Sequence, residues 1–89
     1  MDLGYEDTKK VFEYLGNKGY MSKRSTMVLN RLKYSAIIIM DVSPGEEVYN
    51  ILYALKKDLG VVPALDKVQY TRTRAGSRSI RFVPVKANV

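Results

Sequence analysis

Four arginines fall within ten positions of the stretch YTRTRAGSRSIRF, residues 70–82: Arg72, Arg74, Arg78 and Arg81. A guanidinium is a planar, permanently charged fork of donors that binds phosphate oxygens in pairs and stacks on bases, so this density points to polyanion chemistry. The stretch alternates with the strand period around Gly76-Ser77, and glycine in the first central position suits a two-residue type II′ hairpin turn. That closure predicts a register in which Arg72 faces Arg81, Arg74 faces Ser79, Tyr70 faces Val83 and Val68 faces Val85, with Thr73/Ile80 and Thr71/Phe82 on the other side. Like charges directly opposite one another weaken a strand pair. A phosphate between them reverses the sign, which gives the arrangement a use. The competing reading is an edge hairpin whose charges only block aggregation.

A second basic group, Lys23 and Arg24 with Arg31 and Lys33, either extends a phosphate-contacting surface or forms a solvated strand face. Tyr49 and Tyr53 lie four apart on a helical pattern. The expectation for such a pair is packing at the edge of the core, with base stacking as the alternative.

Other chemistry is thinly represented. There is no cysteine and no histidine, which excludes disulfides, thiol nucleophiles, thiolate metal sites and imidazole bases. Glu46 and Glu47 open a helix, where they answer its dipole, and Asp7, Glu13, Asp58 and Asp66 have no spacing that suggests an acid–base pair. GNKG and SPG lack the pattern of a phosphate-binding loop. The expectation is therefore binding without catalysis, cofactor or metal.

The elements that must position these residues come from a chain of 89 residues with 46% hydrophobic content and a net charge of +6, enough for one small basic domain. The start of the sequence is polar and no apolar run reaches the length of a membrane span, so the expected address is cytoplasmic, with no membrane partner. EDTKKVFEYL predicts a helix over 6–15 ending at Gly16. TMVLNRLKY, 26–34, half alternates as a strand, with a helix over 22–35 as its rival, and AIIIMDV, 36–42, reads as a buried central strand. SPGE, 43–46, has the S-x-x-E form of a capping box with proline at the first helical position. Val48, Ile51, Leu52, Leu55 and Leu59 continue it as an apolar stripe to Gly60, predicting a helix over 44–59. With the hairpin over 68–85, the expected fold is α+β: a small antiparallel or mixed sheet, two helices and a C-terminal basic β-hairpin.

The order of LNRLKYSAIIIMDVSPGEEVYNILYALKKDLGVV followed by VQYTRTRAGSRSIRFVPV resembles the ribosomal fold shared by the 24e-type small-subunit and 23-type large-subunit proteins. Asn30-Arg31 before the central strand and the basic hairpin after the helix are similar to features of the 24e-type family. The resemblance implies RNA binding. The resulting expectation is a small basic nucleic-acid-binding protein, RNA preferred over DNA, contacting phosphates through its arginine hairpin. Two alternatives stand beside it: a winged-helix DNA binder with 44–59 as recognition helix and 68–85 as wing, and a structural or interaction protein, such as a viral or assembly component or a homo-oligomer, that sets the basic hairpin on an acidic protein partner.

Overall fold

A computed structural model describes residues 3–32, 35–72, 74 and 76–87. The elements in chain order are α1 (Tyr5–Asn17), β1 (Thr26–Asn30), β2 (Ser35–Asp41), α2 (Val48–Leu59), β3 (Val61–Pro63), a 3₁₀ turn (Leu65–Lys67), β4 (Gln69–Arg72), β5 (Arg78–Phe82) and β6 (Pro84–Lys86). The fold is α+β: an antiparallel sheet in the order β1-β2-β5-β4, with β3 and β6 forming a separate antiparallel pair.

β2 is central, as its β-branched apolar run predicts. One face of the sheet carries the fully buried Ile38, Met40, Ile80 and Phe82, paired as Ile38–Phe82 and Met40–Ile80. Val11 and Leu15 of α1 and Ile51 and Leu55 of α2 belong to the same core. Residues 26–30 are strand, not the rival helix, and residues 35–41 are strand where a winged helix would need a helix before its recognition helix.

α1 runs one residue past Gly16 to Asn17, and the chain turns away from the helix axis at Gly19. There φ is +76°, Tyr20 N–H donates to Leu15 O (3.1 Å) and Gly19 N–H to Gly16 O (3.1 Å). This is a Schellman motif, in which glycine accepts the left-handed conformation and the last carbonyls find donors. The Tyr14 hydroxyl donates to Asp58 Oδ2 at 2.6 Å, linking α1 to the C-terminal turn of α2. Burial, then this hydrogen bond and the carboxylate's charge, hold the Tyr14 phenol well above its ordinary ionisation range.

The predicted capping box does not form. Pro44 and Gly45 occupy the centre of a tight turn closed by Glu46 N–H to Ser43 O at 3.1 Å, with Gly45 at φ +86°, and the helix begins only at Val48. Proline second and glycine third satisfy a type II turn, and this local preference overrides the S-x-x-E pattern. The far end is as expected, with Gly60 in the left-handed conformation and Lys56 and Lys57 in the last turn. Ile51 and Leu55 are the fully buried residues of α2, Leu52 is half-buried and Leu59 lies exposed.

The C-terminal ribbon departs most from expectation. Five residues, 73–77, separate the last ladder pair, and the register is Arg72–Arg78, Thr71–Ser79, Tyr70–Ile80 and Gln69–Arg81. This shifts β4 by three positions against the two-residue closure, so Arg72 does not face Arg81. All four β4 residues are exposed, so burial places no demand on that strand's register. β5 is fixed instead by β2, which needs Ile80 and Phe82 inside. Beyond Phe82 the chain leaves the sheet: Pro84, lacking an N–H, lies opposite Pro63 in the β3–β6 pair, and Val85 pairs with Val62 instead of Val68.

Candidate nucleic-acid interface

Three connections meet at the Asp41/Ser79 end of the sheet: the turn over 22–25, the SPGE turn, and the loop before Arg78. The first is pinned to the end of β2. Ser22 donates its hydroxyl to Asp41 Oδ2 (2.7 Å) and its N–H to Asp41 O (2.8 Å), while Asp41 N–H donates to Ser25 Oγ (2.9 Å). Arg24 N–H in turn donates to Ser22 Oγ at 3.2 Å. Asp41 is thus used inside the protein, and the turn it holds presents the exposed Lys23 and Arg24 to a cleft of about 640 Å³ that Asp41, Gly45, Gly76 and Arg78 also line.

Arg78 reaches this cleft but is already engaged. Its Nη1 donates to Glu47 Oε2 at 3.3 Å and its Nη2 donates to the Glu46 carbonyl oxygen. Arg72, directly across the ladder from Arg78, remains exposed. Tyr70, Thr71, Arg72 and Ser79 form one wall of a groove of about 300 Å³ whose other wall is Glu47 and Val48 at the start of α2. Arg74 is exposed in the loop just beyond Arg72.

Of the sequence-predicted site residues, the structure therefore brings Lys23, Arg24, Arg72, Arg74 and Arg78 to one end of the sheet. Arg81 is exposed on the sheet's open face, between Ile39 of β2 and Gln69 of β4. Arg31 follows β1 at the opposite end, a strand's length or roughly 20 Å away at ~3.3 Å per residue. Lys33 lies outside the described residues.

Two aromatic expectations change. Tyr49 and Tyr53 do not pack at the core edge; they are 77% and 61% exposed on the outer face of α2. Tyr70, expected at the apolar base of the ribbon opposite Val83, is 62% exposed and lies two residues from Arg72 on the same side of β4. Its signal in the sequence was the Y-T-R alternation, which puts Tyr70 and Arg72 in phase with one another whatever the register, while Arg74 falls in the loop after β4.

Among the described residues no helix is long and apolar enough to cross a membrane. No family model matches the chain, and no curated protein or solved structure shows significant similarity to it.

Proposed function

We propose that this protein binds single-stranded nucleic acid, RNA in preference to DNA, along the β4 ribbon and the neighbouring 22–25 turn. The observation that carries the reading is the in-phase exposure of Tyr70 and Arg72, with Arg74 beyond them, beside a groove and a cleft rimmed by Lys23 and Arg24. An exposed ring offers a base a stacking surface, and the flanking guanidiniums meet the phosphates on either side. A duplex offers no free base face to Tyr70, so single strands are favoured. Arg78, neutralised by Glu47, acts as a support that fixes β5 to α2. Arg81 adds charge to the open face.

Fluorescence anisotropy against single-stranded RNA, duplex RNA, single-stranded DNA and duplex DNA across a salt series tests this. Four exposed cations, Lys23, Arg24, Arg72 and Arg74, correspond to a slope of log affinity against log salt near −3, at about 0.7 per neutralised phosphate of a single strand. Equal affinity for duplex and single strands, or no binding at low salt, would move the reading to an acidic protein partner.

A further inference from the structure

Among the described residues the sheet has two unpaired edges, and they differ in chemistry. β4 is polar throughout, with Arg72 in the strand and Lys67 and Arg74 beside it, and charged side chains of this kind protect an edge from pairing. β1, Thr26–Asn30, carries no charge; Val28 and Leu29 are 45% and 43% exposed, and no bulge or proline interrupts it. Beside it a groove of about 520 Å³ is lined by Leu29 and by Gly4, Tyr5, Glu6 and Asp7 at the start of α1, and Tyr5 is itself 40% exposed.

We infer that this edge is a self-association surface, on which a second copy of the chain adds its own β1 antiparallel about a two-fold axis at Val28. The occupant is a second copy because the strand is complementary to itself. Antiparallel pairing centred on Val28 sets Val28 against Val28, Met27 against Leu29 and Thr26 against Asn30, so apolar meets apolar on both sides and each residue stays on its own face of the sheet. The flexible thioether of the second copy's Met27 comes alongside Leu29 at the groove, a setting in which methionine fills irregular space well. The same pairing brings the second copy's Lys23-Arg24 turn to the end of β1 that Arg31 follows, where Glu6 and Asp7 line the groove and set two acids among these cations. Two four-stranded sheets become one of eight, and the half-buried Ile37 and Ile39 of each copy flank the paired Val28 residues on the open face.

Each copy carries +6, so the repulsion between copies is screened by salt and the dimer strengthens as salt rises. Nucleic-acid binding has the opposite salt dependence, so the two readings fail separately. The test is sedimentation equilibrium of the full chain without nucleic acid, at low and high salt. Val28→Lys places two ammonium groups face to face on the axis while altering an already exposed side chain, and it is expected to weaken the dimer by about 30-fold or more. Thr71→Lys on β4 is expected to leave it unchanged. Because the chain has no cysteine, Val28→Cys supplies a second readout: opposed strand residues have Cβ atoms about 4.5–5.5 Å apart, near disulfide range, so mild oxidation should link two copies, whereas Thr71→Cys should stay monomeric. Monomer at every concentration up to about 1 mM, or a dimer that Val28→Lys leaves intact while Thr71→Lys breaks it, overturns the inference.

Discussion

Arg72 and Arg78 stand directly opposite each other across the β4–β5 ladder, and the anion that relieves their repulsion is the protein's own Glu47, 3.3 Å from Arg78 Nη1. The two like residues differ in their surroundings: Arg78 ties β5 to the approach of α2, and Arg72 stays exposed.

Glu47→Gln separates these roles. The carboxylate is largely exposed, so its loss is expected to cost under about 1 kcal/mol in chemical denaturation, the usual range for a surface ion pair. Freed from its counter-charge, Arg78 becomes a further phosphate contact, so RNA affinity should rise and the salt slope should steepen by about 0.7. Weaker RNA binding in a folded Glu47→Gln protein would place Glu47 in the interface rather than behind it.

Replacing Arg72 and Arg74 together by glutamine is expected to leave the fold intact, since both are exposed, and to make the salt slope shallower by about 1.4. Tyr70→Ala should leave the slope unchanged while lowering affinity for single strands by roughly 1–3 kcal/mol, the loss of one stacked base. A slope that moves with Tyr70 and not with the arginines would reverse their assignments.

The SPGE segment gives a sharp test of turn against cap. Ser43→Ala should cost less than about 0.5 kcal/mol, because no helix is capped there, whereas a lost N-cap typically costs about 1 kcal/mol. Gly45→Ala forces an L side chain to φ +86° and is expected to destabilise by about 1–3 kcal/mol. Equal effects of the two, measured by urea unfolding, would restore the capping box.

Core energetics should follow burial rather than the helical stripe as a whole. Leu55→Ala, at a fully buried position, is expected to cost roughly 2–5 kcal/mol. Leu52→Ala and Leu59→Ala should cost progressively less, since the first is half-buried and the second exposed.

Tyr14 predicts the alkaline limit. Its phenol is held above the usual range by burial and by its hydrogen bond to Asp58. The unfolded chain therefore gives up this proton first as pH rises through about 10, the ordinary tyrosine value, and folding stability falls from there upward. In the native protein the Tyr14 phenol should keep its proton above the ordinary tyrosine range, its ultraviolet step coinciding with unfolding, and Tyr14→Phe should flatten the decline in stability above that pH.

What the sequence determined by itself was whatever a short window settles. AIIIMDV has the length and β-branched apolar content of an inner strand, the Val48 to Leu59 stripe ends at a glycine cap, and the absence of cysteine and histidine removes whole classes of chemistry. The shared phase of Tyr70 and Arg72 likewise follows from strand geometry alone. Tertiary structure decided what depends on a distant partner. The hairpin register was set by β2, which demands Ile80 and Phe82 on its buried face, while the polar β4 had no burial of its own with which to choose. The fate of Arg78 depended on Glu47, 31 residues away in the chain. Tyr49 and Tyr53 stayed outside because the core is filled by Ile51 and Leu55, and a helix has only one side to give to the sheet it covers.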